Sequence, residues 1–248
     1  IDVPDYHYMD SLKTEYNNIS RKDQVDVILA NPPFGASIAE GVESNFPLNY
    51  RTKESADLFL VLMLKLLNQK GKCAIVLPDG SITGDGIKAR IREKLLKDAN
   101  LHTIIKLPKS TFFPATVDTN LLFFEKGSPT KEIWYYEHKL PKGQKSYSKT
   151  KSIQFEEFEP LIEWWHNRKE SNNSWKVSIK DLVNWDLNVP NPYEEAKKRI
   201  NTTSEFDKYE GLNNDLKNTL SEVLENLPNN KSNLFKNLLI NHKSLFYN

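Results

Sequence analysis

Residues 25–35 read Val-Asp-Val-Ile-Leu-Ala-Asn-Pro-Pro-Phe-Gly, and the change of texture at Asn31 decides how the chain is read. Val25 to Ala30 is a short run rich in branched residues, and two consecutive prolines stop it. Such a run reads as a buried strand ending in a turn. Working outward, Ser55 to Asn68 is apolar almost all round (Leu58, Phe59, Leu60, Val61, Leu62, Met63, Leu64, Leu66, Leu67). It is too long for an ordinary strand and reads as a buried helix, with Gly71 as its stop. Lys72 to Leu77 reads as a second strand, closed by Pro78-Asp79-Gly80. Ile87 to Leu96 has helical spacing (Ile87, Ile91, Leu95), and Leu101 to Leu107 and Asn120 to Glu125 read as two further strands. Strand, helix, strand, helix, strand, strand is the rhythm of an open α/β sheet covered on both faces. The last two strands are joined without a helix-length segment, so the fold class is α/β, a mostly parallel sheet with an antiparallel strand.

Asn31-Pro32-Pro33-Phe34 would then stand at the carboxyl end of a parallel strand, where open α/β sheets bind ligands. Each proline biases the residue before it toward extended backbone, which holds Asn31 and Pro32 open. Neither proline has an N–H to compete for the Pro32 carbonyl. That carbonyl and the Asn31 side-chain oxygen are two acceptors suited to the two hydrogens of an exocyclic amine. Phe34 offers an aromatic face to the ring that carries the amine. An amine conjugated to a ring is a poor nucleophile; two acceptors on its hydrogens favour the pyramidal, more reactive form. The bland alternative is a turn that merely ends a strand; the strand before it and the helix and Val76-Leu77-Pro78 after it favour the amine-holding corner.

The chain has 248 residues, 38% apolar and 27% charged, within the range of globular domains. Its 34 basic and 33 acidic side chains leave a formal charge of +1, so a partner is expected to supply much of any grip on a polyanion. A single cysteine, Cys73, excludes an internal disulfide and fits a reducing compartment, the cytoplasm. No apolar run approaches the roughly 20 residues that cross a bilayer, so no membrane association is expected. His7, His102, His138, His166 and His242 never stand at metal-ligand spacing, and no metal is expected.

The texture changes at Gly127. Residues 131–151 mix lysines with aromatics (Trp134, Tyr135, Tyr136, Lys139, Lys142, Lys145, Tyr147, Lys149, Lys151), which reads as a solvated hairpin or, alternatively, as a track for a phosphate backbone. Trp164, Trp165, Trp175 and Trp185 read as packing residues. Beyond Pro190-Asn191-Pro192, Phe206, Tyr209, Leu212, Leu216, Leu220, Val223 and Leu227 recur at helical spacing, and Leu234 to Phe246 reads as a second helix. The expected division is 1–150 for the α/β domain, 151–192 for a Trp-rich extension and 193–248 for C-terminal helices that bind a partner.

Asp26 to Gly35 resembles the catalytic motif of the modification (M) subunits of type I restriction–modification systems. The likeness continues through Ala56-Asp57-Leu58-Phe59, Ala74 to Gly80, Leu107-Pro108, Thr119 to Phe124 and Trp185-Asp186-Leu187-Asn188. The resemblance implies transfer of a methyl group from S-adenosylmethionine to adenine N6 in double-stranded DNA, on a base flipped out of the helix. It also implies a specificity (S) subunit as partner, with a restriction (R) subunit in the full complex. By the resemblance Asn31 and Pro32 hold the target amine, Pro33 belongs to the same catalytic motif, and Phe34 stacks on the adenine, a contact of about 1–3 kcal/mol. Asp10 matches the family's acidic position at the cofactor's adenine, with Ser11 beside it; an Asp-Ser pair equally caps a helix. The family's glycine-rich cofactor loop would precede Ile1. The expectation is therefore an incomplete Rossmann-like methyltransferase sheet, N-terminally truncated and inactive alone. Gly80, Gly84 and Gly86 lack the spacing of a dinucleotide loop and read as a turn before a helix. Competing readings are a non-catalytic module of the same fold that bridges DNA or the specificity subunit, and an amine methyltransferase acting on a protein glutamine or an RNA base.

Overall fold

The computed structural model describes Asp5, residues 7–194 and Asn218. The C-terminal helices expected over 206–227 and 234–246 lie, Asn218 apart, outside the described residues. The chain divides into two compact units, Ile1–Pro192 and Tyr193–Asn248, and the sheet lies in the first.

That sheet has six strands in the order β1-β2-β4-β3-β5-β6. They are β1 (Val25–Ala30), β2 (Leu67–Pro78), β3 (Ala99–Leu107), β4 (Thr119–Lys126), β5 (Glu132–Glu137) and β6 (Ser174–Ser178). β1 pairs parallel with β2 and β3 with β5, while β4 is inserted antiparallel between β2 and β3. Four strands thus share one direction. The reversed ones are β4, as expected from its helix-free connection, and β6, which pairs antiparallel with β5. The helices are α1 (Ser55–Leu66), α2 (Asp79–Ile82), α3 (Ile87–Asp98) and α4 (Glu159–His166).

Alternation along the strands assigns the two faces. Cys73, Ile75 and Leu77 of β2, with Leu122 and Phe124 of β4, are fully buried, as are Leu58 and Leu62 of α1 and Ile91 and Leu95 of α3. Each such side chain contributes about 1.5–3 kcal/mol. α1 is buried nearly all round because it lies against β2, α3 and the 310 turn at Ser11–Lys13. On another part of the sheet, Ile105, Leu107, Tyr136 and Leu161 form a cluster flanked by Phe123, Trp164 and Trp165. The tryptophans are packing residues: Trp175 is buried and stacks on Tyr135 with ring centroids 5.3 Å apart.

Three expectations from the sequence change. α1 ends at Leu66 and β2 begins at Leu67 instead of Lys72, so Gly71 stands inside the strand and does not stop the helix. Residues 131–151 are not a hairpin: Glu132–Glu137 is a strand paired parallel with β3, which its alternating burial allows once Ile133 and Tyr135 have a core to enter. β6 likewise ties part of the stretch 151–192 into the same sheet. And β1, although apolar, is an edge strand, with Val27 63% and Leu29 81% exposed. Its run is apolar on both faces, yet among the described residues only β2 pairs with it.

Arg92 of α3 joins the elements above the sheet. Its side chain is almost fully buried, and it donates to the carbonyls of Trp185 (2.6 Å), Thr83 (2.7 Å), Ser81 (3.5 Å) and Gly84. Thr83 Oγ1 donates to Asp186 Oδ2 at 2.6 Å, and the Leu187 N–H donates to the Ile82 carbonyl at 2.9 Å. Gly84 and Gly86 take positive φ at the turn before α3. The Trp185-Asp186-Leu187-Asn188 stretch is therefore a strap over the α2–α3 turn.

Replacing Arg92 with Met is expected to cost about 3 kcal/mol or more, because buried carbonyls lose their donors; urea denaturation checks this. His102, beside Trp165 and Arg168, is held down to about 4 by burial, with the Arg168 charge acting the same way. The unfolded chain takes up this proton first as pH falls below its ordinary value near 6.5. The His102 contribution is therefore complete above that value and is lost between there and about 4. His102→Gln should flatten the fall of unfolding free energy across that window, measured by denaturation at several pH values.

Candidate active site

Because β1, β2, β3 and β5 run the same way, the loops that follow them leave the sheet at one rim. Asn31-Pro32-Pro33-Phe34 leaves β1 there. Asn31 is exposed, Pro32 buried, Pro33 exposed and Phe34 half-buried. Neither the Asn31 amide nor the Pro32 carbonyl is taken up by a hydrogen bond among the described residues. The next carbonyl is taken up: Ser55 Oγ donates to the Pro33 carbonyl at 2.9 Å. Ser55 is buried at the first turn of α1, and the apolar packing of Leu58 and Val61 fixes that helix. The loop is thus tethered to a rigid element one residue beyond the two open acceptors.

Phe34 and Gly35 line a cleft of about 500 Å³ together with Pro78, Lys88, Lys109 and Val117, among others. A cleft of that size suits a small ring system. Asn31 stands outside its lining, at the end of β1. The loop from β3 to β4 forms one wall and brings Phe112 edge-on to Phe34, with centroids 5.7 Å apart. Both lysines of the walls have acidic neighbours, and the acids outnumber them. Lys109 Nζ lies 3.8 Å from Asp118 Oδ2, and Asn120 Nδ2 donates to Asp79 Oδ1 at 2.7 Å. Burial, then the charge of Asp79, pushes the Asp118 carboxyl above its usual range, and Lys109 opposes this. Beneath, the carboxylate of Asp57 is buried, which raises its pKa, while Ser81 and Lys88 pull it back. Lys88 Nζ stands 3.5 Å from Asp57 Oδ2 and donates to the Gly80 carbonyl at 2.5 Å, bridging α1 to the turn after β2.

Asp10 and Ser11 do not line this cleft. Asp10 is the N-cap of the Ser11–Lys13 turn, its Oδ1 accepting from the Leu12 N–H at 3.1 Å. Both readings of Asp10 survive this geometry, since the capping bond occupies one oxygen of an exposed carboxylate. Among the described residues no group of three or more His, Cys, Asp or Glu side chains converges as a metal site would require. No described helix is long and apolar enough to cross a membrane. Sequence reasoning missed Ser55, whose position before an apolar run reads as an ordinary helix start. It also missed Phe112, an aromatic in a loop with no periodic context.

An open α/β sheet with a cleft and two unbonded acceptors at its carboxyl rim matches the fold of known methyltransferases. The chain belongs to the N-6 DNA methylase family, whose model matches residues 1–201. It is 50% identical over 182 residues to the methylase subunit of the type I restriction enzyme EcoEI from Escherichia coli, a match covering 69% of this chain and 37% of that protein. Among solved structures it is similar to a modification subunit assigned to a type I restriction enzyme of Vibrio vulnificus YJ016. That match has a TM-score of 0.71 and 40% identity, and covers 75% of this chain and 42% of the other. The EcoKI M protein shares the fold, with a TM-score of 0.59, 20% identity, and coverage of 69% and 43%. The chain therefore spans well under half the length of these relatives.

Ser55→Ala is expected to lower stability by about 1 kcal/mol through the unpartnered Pro33 carbonyl. Ser55→Thr, which keeps the hydroxyl, should cost less; chemical denaturation of both variants checks it.

Proposed function

We propose that the complete protein containing this chain methylates adenine N6 in DNA with S-adenosylmethionine, as the modification subunit of a type I restriction–modification complex. The observation that carries the proposal is the pair of open acceptors, Asn31 and Pro32, one residue before a tethered carbonyl and beside an aromatic ring in a cleft.

In this reading the Asn31 Oδ1 and the Pro32 carbonyl each accept one hydrogen of the exocyclic amine. The lone pair on N6 is drawn out of conjugation and aimed away from both acceptors. Phe34, braced by Phe112, stacks against the adenine and offsets part of the stacking lost when the base leaves the duplex. Pro33, through its tethered carbonyl, keeps the corner from relaxing. S-adenosylmethionine, when bound, supplies the methyl group. Asp10 has an exposed carboxylate oxygen outside its capping bond, which fits the donor hydrogens of the cofactor's nucleoside end; Asp10 and Ser11 would hold that end. One carboxylate is a small share of such a site, so these 248 residues alone are expected to be inactive.

Residues 193–248, with their heptad-like apolar stripe, are read as the segment that docks on the specificity subunit; the restriction subunit joins in the full complex. The specificity subunit would then supply sequence recognition and much of the grip on DNA, as the balanced charge of this chain requires. The assembly would work in the cytoplasm.

Asn31→Ala in the complete complex should reduce methyl transfer by about a hundredfold or more, the usual scale for one lost charge-positioning contact. Subunit assembly and DNA binding should be retained. Incorporation of a labelled methyl group into target DNA is the measurement, and near-normal transfer by this variant would remove the amine-holding role.

A further inference from the structure

The stretch from His138 to Ser152 follows β5 and carries five lysines, Lys139, Lys142, Lys145, Lys149 and Lys151, with no acidic residue among them. The whole chain has a net charge of +1, so this one loop concentrates what the composition as a whole conceals. All five lysines are exposed, and Lys142, Lys145, Lys149 and Lys151 form no ion pair among the described residues. Gathering like charges in this way is unfavourable in the free protein, and it is relieved by a polyanion.

The loop is held at its root. Tyr147 is buried at its centre, where its hydroxyl lies 3.0 Å from His138 Nε2 and donates to Glu157 Oε2 at 2.5 Å. The Phe158 ring stacks on His138 with centroids 5.0 Å apart, and Ser148 and Lys151 exchange backbone hydrogen bonds of 3.1 and 3.2 Å. Glu157, an acid just beyond the loop, is occupied in this anchor. The lysines therefore flank a fixed point on both sides.

Its position follows from the sheet. β5 runs parallel to β1, β2 and β3, so the loop leaves at the rim that carries Asn31 and the cleft. Three strand spacings separate the end of β5 from the end of β2, where Pro78 lines the cleft, which at about 4.8 Å each is about 14 Å. Duplex DNA rises about 3.4 Å per base pair, so that distance corresponds to roughly four pairs.

We infer that the loop 139–151 is a docking surface for the phosphate backbone of the duplex, gripping it about four base pairs from the cleft at the end of β2 that Phe34 lines. The inference rests on the reading of the protein as a DNA methylase. Tyr147, His138 and Glu157 position the loop, and the lysines make the contacts.

The test measures binding of the complete methylase complex to a mixed-sequence duplex by fluorescence anisotropy over a range of salt concentrations. The variant is Lys142→Gln, Lys145→Gln, Lys149→Gln and Lys151→Gln together; these positions are exposed, and a thermal melt confirms an intact fold. Each phosphate contact contributes about 0.9 to the slope of log K against log salt, so the slope should shrink by about 2 to 4. Affinity near physiological salt should weaken at least about tenfold. The matching Lys→Arg variant should restore both.

An unchanged slope in the glutamine variant, beside normal wild-type binding, overturns the docking surface alone. Loss of partner-subunit assembly without a change in slope also overturns it, since the loop would then be a protein interface. Wild-type complex that binds DNA without salt dependence overturns the methylase reading, and this inference with it. Asn31→Ala separates the two: it should keep the wild-type slope while losing methyl transfer.

Discussion

A guanidinium with 1% of its surface exposed must find its partners inside the protein, and Arg92 finds them in four backbone carbonyls. Burial pushes its pKa below the usual range, while Asp186, Asp57 and Asp85 oppose that push. A guanidinium still keeps its charge, so the cost of leaving it unpaired would be several kcal/mol. The carbonyls therefore have to come to it. That requirement fixes the turn between α2 and α3 against the strap at 185–188, which fixes the height of Gly80 and Lys88 at the floor of the cleft. The tether from Ser55 to Pro33 serves the opposite wall in the same way, through a hydroxyl on a helix that cannot move without opening the core. Both devices use side chain to backbone bonds, which constrain a loop without demanding a particular residue in it.

The site built on these supports has no spare cation: its lining carries Glu54, Asp79 and Asp118 against Lys88 and Lys109. Lys109 answers Asp118, Lys88 answers Asp57, and Asn120 answers Asp79. Such a cleft suits a neutral aromatic ring whose amine needs acceptors and whose face needs an apolar shelf. It does not suit a phosphate. The positive charge is displaced along the rim to the loop after β5, where a backbone rather than a base would be met. In the proposed reading, base and phosphate would fall to different loops of one sheet edge, with β4 inserted between β2 and β3 adding to the distance between them.

The uncovered surface of β1 belongs to the same logic. A strand apolar on both faces is at its most stable inside a sheet, yet Val27 and Leu29 are open among the described residues, and only β2 adjoins. The relatives are more than twice as long as the matched portion. The proposed amine-holding corner thus leaves an edge strand whose Val27 and Leu29 this unit does not cover.

The alternation of apolar runs with helical spacing was enough, from sequence, to place β1, α1, α3, β3 and β4 within a few residues, because each is a local pattern whose period its own side chains set; β2 was found but begins five residues earlier than its pattern, at Leu67. That β1 ends at Asn31 was legible for the same reason: two prolines restrict their neighbours whatever surrounds them. The strand at Glu132–Glu137 was not legible, since Trp134, Tyr135 and Tyr136 interrupt strict alternation and only pairing with β3 resolves which of them face a core. Nor were Ser55, Phe112 and Arg92, each of which matters through a partner far along the chain: Pro33, Phe34 and Trp185. Local chemistry determined most of the elements and where β1 stops. Only the tertiary structure decided which side chains reach that corner and which loops share its rim, because such contacts depend on strand order and direction, and no stretch of sequence states them.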